Sequence, residues 1–105
     1  MITAIVNFPL LAGTTPEEAK ASFEQSAPRY RAIEGLVRKY YLFDPETLMA
    51  GGAYLFENRA AADITFTDEW LAQMTERFGV TPDIRFFETP VIVDNSVGDI
   101  AAAAE

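Results

Sequence analysis

Hydrophobic and polar residues alternate or cluster in four stretches of the chain in a way typical of β-strands. These stretches cover residues 2–8, 35–44, 48–57 and 83–94. Pro9 closes the first stretch, and Pro90 interrupts the last. Asp44 and Pro45 suit the first two positions of a type I turn, so the second and third strands are predicted to form an antiparallel hairpin.

Two further regions carry apolar residues at three- and four-residue spacing, which predicts helices. The first begins at Thr15, which is followed by a Pro and, three residues after the cap, by a Glu. Its apolar stripe comprises Ala19, Phe23, Ala27 and Tyr30. Pro28 is expected to end or kink this helix near its last turn. The second region has helix starts at Asn58 and Thr67 and a stop at Gly79, so we expect one helical crossover broken into two pieces.

The order of these elements, β-α-β-β-α-β, predicts a ferredoxin-like α+β fold. In this fold a four-stranded antiparallel sheet carries both helices on one face. The first and third strands would be central and the other two would be edges, where Pro90, Arg38 and Lys39 are tolerated. We expect one domain over residues 1–94 and a flexible tail over residues 95–105.

The predicted sheet is apolar on both faces. The two sides of the second strand carry Leu36, Arg38, Tyr40 and Leu42, and Val37, Lys39, Tyr41 and Phe43. The fourth strand likewise places Phe86 and Phe87 on opposite sides. Because the helices cover only one face, the other would expose large apolar side chains, and packing two sheets face to face would remove them from water. The sequence therefore predicts a homodimer.

Composition narrows the classes of function. The net charge of −8 and only eight basic residues disfavour nucleic acid and anionic membrane surfaces as partners. The chain contains no Cys and no His. It therefore lacks thiol nucleophiles and the usual metal ligands, and we expect no metal and no cofactor. No signal peptide or membrane-spanning run is recognisable, so we expect a small cytoplasmic protein.

Six side chains are candidates for a catalytic or binding site. They are Asn7, Arg38, Tyr40, Tyr41, Trp70 and Arg85. The arginines could stabilise a developing anion or form ordinary ion pairs. The aromatic residues could line a pocket or pack in the core or an interface, and Trp70 needs a partner for its indole N–H. Asn7 could face a pocket or make a structural hydrogen bond.

Three other polar or small residues have a structural interpretation. Gly51 and Gly52 lie within the third strand, where glycine indicates a bulge or close packing more often than a gap kept for a ligand. Asn58 is interpreted as a helix cap. Glu88 suits an exposed strand edge.

Four segments of the sequence together resemble one protein family. The segments are GLVRKYYLFD (35–44), GGAYLFEN (51–58), TDEW (67–70) and FFETPVIVDN (86–95). They resemble the YdhR-like monooxygenases of the dimeric α/β-barrel superfamily. The resemblance implies a homodimer whose sheets pack together and a scaffold shared with cofactor-independent monooxygenases, haem-degrading enzymes, isomerases and decarboxylases. The absence of His argues against histidine-ligated haem.

The leading hypothesis is a cofactor-independent monooxygenase that acts on a small hydrophobic, aromatic compound with an acidic proton. The substrate anion would react directly with O₂. An arginine and the Trp70 N–H would steady the oxyanion, a tyrosine would position the ring, and Asn7 would fix a carbonyl. The alternatives are a non-catalytic binding protein for a small lipophile, and an isomerase in which Glu88 titrates in an apolar setting.

Overall fold

The computed structural model describes residues 1–96 and, for the backbone alone, residues 99–102. The strands of the main sheet are β1 (Ile2–Pro9), β2 (Leu36–Phe43), β3 (Met49–Phe56) and β4 (Asp83–Glu88). The helices are α1 (Pro16–Arg31), α2 (Arg59–Thr65) and α3 (Asp68–Phe78). The sheet is antiparallel throughout, in the order β2-β3-β1-β4. The predicted α+β fold, its central and edge strands and its broken crossover are confirmed.

The helices begin where the capping residues predicted. Thr15 Oγ1 accepts a hydrogen bond from the Glu18 amide at 3.2 Å, and the Glu18 carboxylate accepts one from the Thr15 amide at 3.1 Å. Asn58 caps α2 in the same way, by accepting from a backbone amide at 2.9 Å. Helix α1, however, does not end at Pro28. It continues to Arg31, and the buried Tyr30 of its last turn provides the packing that offsets the hydrogen bond lost at the proline.

The helix-facing side of the sheet forms the core. Its β1 members, Ile2, Ala4, Val6 and Phe8, are all buried. Phe66, which follows α2, lies edge-on to the rings of Tyr54, Phe56 and Trp70 at centroid distances of 5.0, 5.7 and 4.9 Å. This aromatic cluster joins the sheet to both helices of the crossover, and edge-to-face pairs of this kind add to simple burial.

The glycine pair in β3 is required by close packing, as the sequence indicated. A Cβ on Gly51 would lie 1.7 Å from the carbonyl oxygen of Val6, and its φ is 158°. A Cβ on Gly52 would lie 2.8 Å from the Tyr54 ring and 3.1 Å from Lys39 Cε. Because Gly51 has no side chain, the backbone of β1 can lie close to it. Because Gly52 has none, two large side chains fit beside it on the helix side of the sheet.

Strand β2 departs from the predicted alternation at its start. The pairing with β3 shifts between Leu36 and Arg38, which marks a β-bulge. As a result Leu36 packs against the core, on the side of Lys39, Tyr41 and Phe43, and not on the predicted side with Arg38. Lys39 was expected to be tolerated because β2 is an edge, but its side chain turns inward beneath the helices.

The face without helices, here called the open face, is partly apolar. Three of its exposed members are Tyr40, Leu42 and Phe87. The predicted placement of Tyr40 and Tyr41 on opposite sides is confirmed, since Tyr40 is exposed on the open face and Tyr41 packs against the core.

The chain after Glu88 does not extend β4 as predicted. Beyond Pro90 it forms β5 (Val91–Asp94), which pairs with β6 (Asp99–Ala102) in a separate two-stranded sheet. Proline lacks the N–H that the ladder needs, so the main sheet ends there. The described part of the stretch 95–105 includes this short strand, and the flexibility of the stretch stays a prediction. Residues 97, 98 and 103–105 lie outside the described residues.

Across the described residues, none of the helices combines the length and the apolar content needed to cross a membrane.

Candidate functional site

The six candidate residues do not come together in one place. Strand parity puts four of them on the open face and Tyr41 on the helix side, where Trp70 of α3 also packs. The open-face group is Asn7, Arg38, Tyr40 and Arg85. The helix-side group is Tyr41 and Trp70. The sheet backbone lies between the groups, so a single small ligand contacts one group or the other.

The arginines of the open face form exposed ion pairs. Arg38 Nη1 lies 3.6 Å from the carboxylate of Asp94 in β5 and donates to Tyr40 Oη at 3.2 Å. Arg85 Nε lies 3.3 Å from the carboxylate of Asp83 on its own strand. The two arginines stand on opposite edge strands, which are about 14 Å apart at the usual strand spacing. Both therefore fit the ion-pair alternative, and exposed pairs of this kind contribute little to stability.

Two short-range hydrogen bonds fix the Asp94 side chain beside Arg38. The hydroxyl and the amide of Ser96 both donate to it, and together with Arg38 they hold the pKa of the Asp94 carboxyl below its usual range. The β5 segment thereby lines a cleft of about 390 Å³ over one end of the open face, together with Tyr40 and Leu55.

Trp70 is buried, and its indole N–H already has a partner. The N–H donates to Tyr30 Oη at 3.1 Å, which joins α3 to α1. The packing interpretation of Trp70 therefore accounts for both the ring and its N–H. A role for this N–H in stabilising an oxyanion remains a prediction. It requires that the N–H give up its hydrogen bond to Tyr30 and donate to the substrate instead.

Tyr41 lies half-buried between the sheet and α1. Its ring stacks on Phe23 at 4.8 Å, and its hydroxyl is 2.7 Å from Ser26 Oγ. Burial is the main reason that the pKa of Tyr41 is raised above its usual value. Burial also raises the pKa of Tyr54, which lies deeper in the same layer. Both phenols therefore remain protonated near neutral pH.

The most unusual side chain of this layer is Lys39, which was not among the sequence candidates. Its Nζ lies 3.3 Å from the ring centroid of Tyr30, 3.8 Å from that of Tyr41 and 4.6 Å from that of Tyr54. We call these four residues the lysine–tyrosine cluster. Burial, with a smaller contribution from the Arg29 cation, lowers the pKa of Lys39 to about 7.

A surface cleft leads to this cluster. It has a volume of about 470 Å³, lies between α1 and β2, and includes Ala27, Tyr30, Lys39 and Tyr41 in its lining. A neighbouring cleft of about 350 Å³ shares Ala27 and Tyr41, adds the apolar Phe23 and Phe43, and also includes Lys20 and Glu24. We call the two together the α1–β2 groove. Their volumes are in the range of small-molecule sites.

A larger cleft, of about 670 Å³, lies where the end of α1 meets α2 and α3. Its lining includes Tyr30 and the candidate Trp70, together with several charged or polar residues: Arg29, Glu34, Thr67, Glu69 and Gln73. It does not include Lys39 or Tyr41. Within the part of the chain that the structure describes, no three His, Cys, Asp or Glu side chains converge as metal ligands do.

One signal in the sequence could have identified the lysine–tyrosine cluster. Lys39 has the same strand parity as Tyr41, whereas its neighbour Arg38 has the opposite parity. Opposite Tyr41 in the ladder is Gly52, whose missing side chain leaves room for the lysine stem and the Tyr54 ring. The charge of Lys39 and its edge strand favoured a solvated interpretation, which was wrong.

Comparison with known proteins identifies the family. A search of curated proteins gives no match. The sequence model of the family described as "Putative mono-oxygenase ydhR" matches residues 5–95, which include the whole four-stranded sheet except the first three residues of β1, and all three helices. The chain therefore belongs to the ydhR family of monooxygenase-like proteins.

Proposed function

We propose that this protein is a cofactor-independent monooxygenase that oxidises a small hydrophobic, aromatic compound with an acidic proton. The family assignment supports the class of reaction. The proposed site is the α1–β2 groove and not the open face.

The observation that carries this proposal is the aromatic wall of the groove next to polar side chains. Phe23 and Tyr41 stack on each other at the groove, so a planar substrate ring finds a ring surface to pack against. Tyr41 and Lys39 both line the groove, and the Tyr41 hydroxyl is 2.7 Å from Ser26 Oγ. Polar groups placed this way orient a bound ring by its oxygen substituents.

The proposed reaction needs no external reductant. An activated CH₂ group of the substrate becomes a carbonyl, one oxygen atom of O₂ enters that carbonyl, and the other leaves as water. The substrate supplies all four electrons. The protein's task is to remove a proton, to stabilise the resulting anion and to exclude bulk water, which requires charge and orientation but no redox group.

We also propose that the protein is a homodimer joined through the open face. Tyr40, Leu42 and Phe87 are 55%, 40% and 52% exposed there. Charges of both signs, including the Asp83–Arg85 pair, lie on the same face, so a two-fold axis can bring opposite charges together. A second copy of the chain is therefore a suitable cover for this surface.

The second candidate is a non-catalytic binding protein for a small lipophile. The apolar lining of the groove near Phe23 and Phe43 favours it. The isomerase alternative has less support, because Glu88 is exposed and lacks the apolar setting it would need.

Oxygen consumption distinguishes these functions. Purified protein is incubated with a panel of polyphenols and anthrone-like compounds in an oxygen electrode, with product identification by mass spectrometry. The monooxygenase consumes one O₂ per carbonyl formed, at a rate above that of the same mixture without protein. A binder raises its melting temperature with ligand but consumes no O₂. An isomerase exchanges substrate protons with solvent. No oxygen uptake with any compound would refute the monooxygenase proposal.

A further inference from the structure

Lys39 presents an amine without the partners that a buried lysine usually has. Within residues 1–96 its Nζ makes no hydrogen bond and no ion pair with a carboxylate. Its close neighbours are the faces of three tyrosine rings. A buried ammonium is normally paired, so an unpaired amine facing a cleft requires an explanation.

The groups that face the amine come from three elements. From α1 come the Tyr30 ring and the Arg29 cation, from β3 the Tyr54 ring, and from β2 itself the Tyr41 ring. Arg31 and Arg38 also line the cleft. Among residues 1–96 no acidic side chain lines this cleft, although Glu24 lines the adjoining part of the groove. The surroundings thus disfavour the charged amine through burial and cationic neighbours, while the ring faces can stabilise the ammonium once it forms.

The amine lies where a groove ligand can reach it. Lys39 and Tyr41 line the same cleft, and its partial exposure shows that the side chain is not sealed in the core. Burial raises the pKa values of Tyr41 and Tyr54, so these two phenols stay protonated near neutral pH. Lys39, whose pKa is lowered to about 7, is able to accept a proton there.

We propose that Lys39 is the catalytic base of the groove, which takes a proton from a bound phenol, enol or similarly acidic carbon acid. This inference rests on the proposed function for its substrate class. The substrate X–H bond breaks, its electron pair stays on the substrate, and the proton joins the Lys39 lone pair. The products are a substrate anion and an ammonium, which attract each other while the tyrosine faces hold the cation.

Competitive acylation of the native protein tests the state and the access of this amine without any substrate. The chain has only two lysines, and Lys20 is exposed on α1, so it provides an internal comparison. Trace acetic anhydride is applied from pH 6 to pH 10, and each lysine is quantified by mass spectrometry. We expect the labelling of Lys39 to rise around pH 7, well below an ordinary lysine amine at roughly 10.4. Coincident profiles for the two lysines, or no labelling of Lys39 at any pH, would overturn the inference.

Two variants then connect the amine to the reaction. Lys39→Met removes the base, and Lys39→Arg keeps a cation that cannot accept a proton. Each should lower oxygen uptake by about a hundredfold or more and remove the limb of the pH profile near pH 7, with the fold checked by circular dichroism. Full activity with an unchanged profile in both variants would overturn the inference and leave the monooxygenase proposal intact. If Lys39 is labelled around pH 7 but the wild type shows no oxygen uptake, the monooxygenase proposal is refuted, whereas the conclusion that Lys39 has a reactive, accessible amine stands.

Discussion

Replacing Lys39 with Met should change how the stability of the protein depends on pH. The folded state holds this amine at a pKa of about 7, against 10.5 for an ordinary lysine. Each pKa unit corresponds to about 1.36 kcal/mol, so burying the charged form costs at most about 5 kcal/mol. The amine is partly exposed and the ring faces attract its cation, so we expect a cost of about 2 to 3 kcal/mol.

The sign follows from counting protons. Between about pH 7 and pH 10 the unfolded chain keeps the lysine proton while the folded chain has released it. The free energy of unfolding should therefore rise with pH in the wild type, by about 1 to 2 kcal/mol between pH 7 and pH 9. Below pH 7 the full penalty is present. Above that window the raised pKa values of Tyr41 and Tyr54 act in the opposite direction, because the unfolded chain loses its phenolic protons first.

Urea unfolding at pH 7, 8 and 9 measures the effect directly. Lys39→Met should be more stable than the wild type at pH 7, and the difference should shrink as the pH rises. Lys20→Met, which removes an exposed lysine from α1, is the matched control and should run parallel to the wild type. A constant offset between Lys39→Met and the wild type at every pH would refute the reasoning, because it would mean that the amine is equally hydrated in both states.

Three further predictions test the packing and the assembly. Gly51→Ala places a methyl group against the Val6 carbonyl oxygen and should cost about 3 kcal/mol or more, so an unchanged melting temperature would contradict the tight approach. Trp70→Phe leaves the Tyr30 hydroxyl without its donor and should cost about 1 to 3 kcal/mol. In a double-mutant cycle with Tyr30→Phe, strictly additive effects would contradict the hydrogen bond. Phe87→Glu should convert the proposed dimer to a folded monomer in sedimentation velocity, and an unchanged mass would exclude the open face as the interface.

Much of the fold could be predicted because local rules and the global topology agree. The caps at Thr15 and Asn58 mark helix starts through backbone hydrogen bonds that depend on neighbouring residues only. The strand order then follows from the order of the elements. Local rules were incomplete where distant packing decides the outcome. Helix α1 continues three residues past Pro28, where Tyr30 is buried, and the segment after the predicted interruption at Pro90 pairs in a separate sheet.

The candidate site was less predictable for a related reason. Tyr41 and Trp70 were selected as aromatic residues that need packing or hydrogen-bond partners, and their roles in a site stay predictions. The face that each strand candidate occupies depends on strand parity and on a bulge next to Val37. Lys39 was missed because charge predicts exposure, whereas here the space left by Gly52 and three tyrosine rings takes in the lysine stem. That space forms only when α1, β2 and β3, which carry the three tyrosines, have packed together.

Oxygen uptake by two tryptophan variants of α1 tests most directly that the α1–β2 groove is the site of the reaction. Ala27 lines both parts of the groove, whereas Ala21 is exposed on the same helix, so Ala27→Trp fills the groove and Ala21→Trp is its matched control. With a compound that the wild type oxidises, Ala27→Trp should lose oxygen uptake while Ala21→Trp keeps it, both remaining folded by circular dichroism. Equal uptake by the two variants, or no uptake by the wild type with any compound of the panel, would contradict this account.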